Sequence, residues 1–273
     1  MTQTPPQIPI ALTIAGSDSG GGAGLQADLK TFAFHQVHGA CAVTCITAQN
    51  TLGVERVDAL PPEAVQAQLE AVRSDMSVQS LKTGMLLNAG IVETVANWIE
   101  GAGIKSTVID PVMVSRTGAV LLEPDAIAQI KASLVPKAMI LTPNRYEAEL
   151  LSGMTLQSES DIEQAARRIL DLGAASVLIK GGGLTEQLHG VDFWFDGSRF
   201  EPLRTELVDT PHTHGTGCTL AAAIAANLAL SNEPFTAVKR SKDYVTRALK
   251  YSLAIGKGQG PVGHWHPLIS ASV

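Results

Sequence analysis

The chain has 273 residues, of which 45% are hydrophobic, 17% charged and 4% aromatic, with a formal net charge of −6. That length suffices for one large α/β domain or two small ones. The acidic balance argues against nucleic acid or an anionic membrane as the main partner, and no apolar run is long enough to span a bilayer. The N-terminal MTQTPPQIPI lacks the basic and apolar regions of a secretory signal, and Cys41, Cys45 and Cys218 make no disulfide framework. Reduced thiols in a cytoplasmic protein are therefore expected.

In chain order, IALTIAG (10–16) predicts a buried strand and a Gly-rich turn opens a helix over 25–37. AVTCITA (42–48) predicts a second strand, with Cys41 and Cys45 on one face by their even spacing. After Pro61-Pro62, Val65, Leu69, Val72 and Met76 recur at helical spacing. Strands at 106–112, 138–143 and 176–182 follow, separated by helices near 88–100, 124–133 and 144–172. Residues 191–203 form a hairpin with Asp-Gly at the turn. Alternating β and α units predict a mostly parallel sheet between two helical layers, a three-layer α/β/α sandwich, in a single domain over 1–273.

In such folds ligands bind beyond the carboxyl ends of the strands. Two Gly-rich frames stand at such positions. GSDSGGGAG (16–24) lacks the Gly-Lys-Ser/Thr of a phosphate loop and fits a dinucleotide fingerprint only loosely, so a tight strand-to-helix turn is the stronger reading. The second frame lies in HTHGTGCTLAAAIAANLAL (212–230), a nearly unbroken apolar helix entered through Gly215-Thr216-Gly217-Cys218. Glycines there let backbone N–H groups approach an anion, and the helix dipole adds about half a positive charge. A thiol at that terminus has its thiolate favoured, which makes Cys218 a candidate base, although buried cysteines are more often inert.

GSDSGGGAGLQADLKTF, AQNTLGV, KTGML, DPVM, TPNRYEAELL, LIKGG and THGTGCT occur in this order over 16–219, and GKGQGPVGH follows. Together they resemble the hydroxymethylpyrimidine/phosphomethylpyrimidine kinases of thiamine biosynthesis, in the ribokinase-like superfamily. The resemblance implies an α/β/α sandwich that uses ATP and Mg2+ to phosphorylate the pyrimidine hydroxymethyl group and then its phosphate. It implies that Gly16, Asp28 and Gln49 contact the pyrimidine between Met85 and Val112. Gly215, Thr216, Gly217 and Cys218 match the anion hole, where many ribokinase relatives place Asp at the position of Cys218. Lys180 and Thr213 would contact nucleotide phosphate, and Asp110, Asn144 and Glu147 would hold magnesium largely through water. For Asn144 and Glu147, helix capping reads the same residues equally well. His212, His214, His264 and His266 are read as loop residues and not as a metal site. A homodimer would be ordinary for the superfamily, and no fused thiamine-phosphate synthase module is expected. A pyridoxal kinase of the same superfamily and a non-catalytic pyrimidine-binding protein are the rival readings.

Overall fold

The structure, a computed structural model, describes residues 8–113, 122, 124–184 and 187–270. The N-terminal stretch in which no secretory signal is read lies partly outside these, since 1–7 are not described. The chain runs β1 (Ile10–Asp18), α1 (Gly24–Phe34), β2 (His38–Gln49), β3 (Val54–Ala59), α2 (Pro62–Asp75), β4 (Ser80–Thr83), α3 (Ala89–Ala102) and β5 (Ser106–Ile109). It continues with α4 (Pro124–Gln129), β6 (Ile140–Leu141), α5 (Arg145–Ser152), α6 (Glu159–Leu170), β7 (Val177–Ile179), β8 (Asp192–Phe195) and β9 (Phe200–Leu203). It closes with α7 (Thr216–Ala229), α8 (Pro234–Lys250) and α9 (His266–Ser270).

The strands make one nine-stranded sheet in the order β3-β2-β1-β4-β5-β6-β7-β8-β9. The six strands that run from β2 to β7 in this order are parallel; β3 pairs antiparallel at one edge, and the β8–β9 hairpin extends the other. Apolar runs without alternation, such as Ala11 to Ala15, are buried on both faces because helices cover both. One core joins the sheet to α2, α3, α5 and α6 through Leu12, Ile14, Leu81, Ile109 and Ile179. The other joins it to α1, α7 and α8 through Ala11, Val108, Ile140 and Leu178. Among the described residues the three-layer sandwich is therefore as expected, and no helix is long and apolar enough to cross a membrane.

Three local expectations change. The stretch 144–172 is two helices, because Gly153 at φ 68 ends α5 in the left-handed region and Ser158 caps α6 through a capping box. In β2 the register with β1 slips between Ala15↔Val43 and Ser17↔Ile46, a bulge of one residue. Burial accordingly passes from Ala40, Ala42 and Thr44 to Cys45 and Thr47, so Cys41 and Cys45 face opposite sides of the sheet. Two elements stand outside those read from the sequence: β3, which is exposed throughout and carries no apolar pattern, and α8, whose amphipathic stripe holds Val238, Ser241, Tyr244 and Val245.

Candidate active site

The bulge that bends β2 lies level with the end of β1, where the first Gly-rich loop begins. The buried carboxylate of Asp18 organises that loop. Its Oδ1 accepts from Gly20 N (2.8 Å) and its Oδ2 from Gly22 N (3.0 Å) and Ala23 N (2.8 Å). His214 Nε2, from the segment before α7, lies 3.0 Å from the same Oδ2. Burial pushes the Asp18 carboxyl up, but His214 and the loop N–H groups outweigh it and hold the pKa below its ordinary value.

The two glycine frames pack against each other. Gly215 caps α7 at φ 80, and a Cβ there would strike the Gly22 carbonyl. A Cβ on Gly22 would in turn strike the His214 ring. The glycines at the start of a buried helix thus serve a close backbone contact, while the Thr216 N–H of its first turn donates to Thr213 O at 3.3 Å. Ser19 adds a link to β2, its Oγ donating to Gln49 O at 2.7 Å and accepting from Gln49 N at 2.8 Å.

Lys180, at the end of β7, and Asp110, after β5, meet at the mouth of α7. Lys180 Nζ is 2.7 Å from Asp110 Oδ1 and about 3.5 Å from where a Cβ on Gly217 would stand. Glu147, one turn into α5, is 2% exposed. Its Oε2 accepts from Asn144 N (2.8 Å), its Oε1 from Met113 N (3.2 Å), and Asn144 Oδ1 accepts from Glu147 N (3.0 Å). The capping role read for this pair is therefore present. Burial, opposed by Lys180 and reinforced by Asp110, pushes the Glu147 carboxyl up to about 7. Gly215, Thr216, Gly217, Cys218 and Lys180 thus form one cationic, amide-rich corner, with Asp110, Asn144 and Glu147 beside it. Thr213 sits at the rim, its carbonyl accepting from Thr216 Oγ1 at 2.6 Å.

Gly16 and Met85 adjoin: a Cβ on Gly16 would meet Met85 Cε at 3.1 Å and Cys45 Sγ at 2.6 Å. Val112, half-buried, follows Asp110 and donates its N–H to the Asp110 carbonyl. Gln49 is half-buried, and its amide contacts Thr47 and His214.

Two expected roles change. Asp28 is fully buried on α1, where its Oδ2 accepts from Lys82 Nζ at 2.9 Å and Thr13 Oγ1 at 2.6 Å. The geometry makes Asp28 the partner of Lys82 through Oδ2, while its Oδ1 is buried with no hydrogen-bond partner. Burial works to lower the Lys82 pKa, but Asp28, Cys218 and Asp110 outweigh it, so the lysine remains a buried cation facing Cys218. Cys218 itself is half-buried, and burial pushes its thiol above the ordinary value, with Lys82 working against the rise. The helix terminus alone does not make it a thiolate.

Asp18, Lys82 and His214 were missed by sequence reasoning. A lysine inside the buried strand SLKT, with an aspartate on the apolar α1, was the available signal for the first pair. Of the other histidines, His212 Nδ1 accepts from Gly260 N at 3.1 Å, as suits a loop residue. His264 and His266 are instead 3% exposed, because their Gly-rich segment folds under α7 and α8. Among the described residues no cluster of His, Cys, Asp and Glu could hold a metal by itself.

Residues 18–263 match the family model described as phosphomethylpyrimidine kinase. The hydroxymethylpyrimidine/phosphomethylpyrimidine kinase of Synechococcus elongatus is 64% identical over 96% of this chain and 99% of its own length. The enzyme of that name from Bacillus subtilis is 46% identical over 93% of this chain and 94% of its own. Among solved structures, a Bacillus subtilis pyridoxal kinase in complex with ADP superposes with a TM-score of 0.90 at 40% identity, over 96% of this chain and all of that one. The phosphomethylpyrimidine kinase of Clostridium difficile superposes with a TM-score of 0.80 at 39% identity, over 89% of this chain and all of that one. A match this long, with its motifs gathered at one end of one sheet, places the chain in the phosphomethylpyrimidine kinase family.

Proposed function

We infer that the chain is an ATP-dependent phosphotransferase acting on 4-amino-5-hydroxymethyl-2-methylpyrimidine and then on its monophosphate, giving the diphosphate used in thiamine biosynthesis. The observation that carries the chemistry is Lys180 Nζ standing beside Gly217 at the open N-terminus of α7. Phosphoryl transfer needs positioning and positive charge more than covalent chemistry. The N–H groups of Gly217 and Cys218, the α7 dipole and Lys180 supply that charge where a γ-phosphate would lie, with Thr213 at the edge of the nucleotide site. Gly16, Gln49, Met85 and Val112 are assigned to the pyrimidine, Met85 and Val112 as apolar walls. Cys218, between the two, is assigned to the attacking hydroxyl.

Magnesium belongs to this reading. Asp110 and Glu147 are two carboxylates in one buried place, and burial first, with Asp110 adding to it, raises the Glu147 pKa to about 7. A divalent cation fits there. Both Glu147 oxygens already accept backbone N–H groups, so Glu147 and Asn144 would hold the ion through its water shell. The bound ion supplies charge neutralisation for the phosphate oxygens. A single kinase domain, a homodimer and a cytoplasmic setting complete the proposal.

The test is product analysis with ATP, magnesium and the aminopyrimidine alcohol, with pyridoxal offered in parallel. Accumulation of the pyrimidine diphosphate is expected. A folded protein that stops at the monophosphate overturns the two-step assignment, and one that turns over only pyridoxal overturns the substrate.

A further inference from the structure

Thr47, Gln49, His214 and Asp18 form a hydrogen-bonded chain that crosses from β2 to the loop after β1. Its far end is fixed. Asp18 Oδ2 already accepts two backbone N–H groups, and an ionised carboxylate can only accept. His214 Nε2, 3.0 Å away, therefore carries a hydrogen, whether the ring is neutral or cationic. At the near end Thr47 Oγ1 has one hydrogen and two neighbours in reach, Ser17 O at 2.9 Å and the Gln49 amide at 3.1 Å; donated to the closer Ser17 O, it leaves the hydroxyl as an acceptor towards the amide.

Between these ends the amide has one consistent orientation. With Nε2 turned to His214 Nε2 at 3.3 Å, two N–H groups would oppose each other, and lone pairs would meet at Thr47. Rotated by half a turn, Oε1 shares with Asp18 Oδ2 the single hydrogen on His214 Nε2 in a three-centre bond, and Nε2 donates to Thr47, so that no two N–H groups face each other. We propose that His214, held by Asp18, is a positioning residue that fixes the Gln49 amide with its oxygen on the His214 side, and so sets the order of donor and acceptor shown to the substrate ring.

The imidazole is built in from several sides. Gly22 leaves room for the ring, His214 N donates to Gly260 O (3.2 Å) and Val262 N donates to His214 O (3.2 Å). The consequence rests on Gln49 reading the pyrimidine. An aminopyrimidine edge presents an amino donor beside a ring-nitrogen acceptor, and the amide then leaves one lone pair and one N–H in fixed order. Exchanging them would turn the ring over and carry the hydroxymethyl group away from Cys218 and Lys180.

The orientation is tested without substrate. 15N-edited NMR of the full chain should show His214 protonated at Nε2; a ring protonated only at Nδ1 overturns the hydrogen-bond order. The role is tested with His214→Leu and His214→Gln, melting temperatures being checked first. A glutamine can place two N–H groups near the Nε2 position, one for Asp18 and one for Gln49. In His214→Leu the KM for the aminopyrimidine should rise about tenfold with the KM for ATP unchanged, and His214→Gln should restore most of it. Equal loss in both variants, or loss of ATP affinity in step, would mark a packing residue and overturn the proposal. Gln49→Leu separates the two levels: an unchanged pyrimidine KM there rejects Gln49 as the ring contact while leaving the NMR result standing.

Discussion

At the scale of single residues, Cys218 shows how environment overrides local position. A helix N-terminus favours a thiolate, but burial in this site, with Asp28 and Asp110 nearby, raises the thiol pKa further than Lys82 and the Gly24 N–H lower it. The resting group is a thiol held above its ordinary range, so base catalysis by its thiolate should make the first phosphorylation climb with pH through neutrality without levelling off within the ordinary thiol range. Cys218→Ala should lower that step about a hundredfold near neutral pH and flatten its pH dependence. The second phosphorylation attacks through a phosphate oxygen already ionised and should be largely spared. Single-turnover kinetics of both steps across pH decide it; equal losses would reduce Cys218 to a wall of the anion hole.

At the scale of elements, two left-handed glycines make contrasting predictions. Gly153, at φ 68, ends α5 with nothing within 4 Å of the place a Cβ would occupy, whereas at Gly215, at φ 80, that place is filled by the Gly22 carbonyl. Gly153→Ala should cost about 1 kcal/mol, the penalty of the backbone region alone. Gly215→Ala must also push two loops apart, so its urea midpoint should fall by more than twice as much, with loss of kinase activity. Similar midpoints would show that the two glycine frames do not support each other. This contact also explains what the sequence could and could not disclose. Periodicity made the parallel strands and the buried α7 readable, and strand ends located Lys180, Asp110 and Gln49. The pairing of Gly22 with Gly215 joins residues far apart in the chain, and no local pattern encodes it. The β2 bulge likewise depends on its neighbour strand, and it reversed the face expected for Cys45. Asp28 was placed at the pyrimidine by the resemblance alone; its partner Lys82 comes from β4, 54 positions on.

At the scale of the whole molecule, the Gly-rich segment after α8 joins distant parts. His264 Nε2 lies 2.9 Å from Thr219 Oγ1 on α7, and Tyr244 Oη on α8 donates to His264 O at 2.7 Å. Burial, with a contribution from Lys30, lowers the His264 pKa from 6.5 to about 4. The unfolded chain therefore binds this proton more readily, and stability is lost as pH falls below 6.5 towards 4. From this ring alone the loss at pH 5 is about 2 kcal/mol relative to about pH 7.5. His264→Gln should make the fall in urea midpoint between those pH values smaller by that amount; parallel falls would mean that the ring is not held neutral. The same segment ties Thr51 to the site, through Gly258 N to Thr51 Oγ1 (3.2 Å, 207 positions apart) and Gln259 N to Thr51 O (2.9 Å). A ribosome releases these residues long after β1 and β2. The sheet can therefore begin to form on the nascent chain while the His214 segment still lacks its clamp from Gly260 and Val262. The end of the sheet that carries the two glycine frames is consequently the last part of this protein to be completed during synthesis, since its clamp arrives with the final residues of the chain.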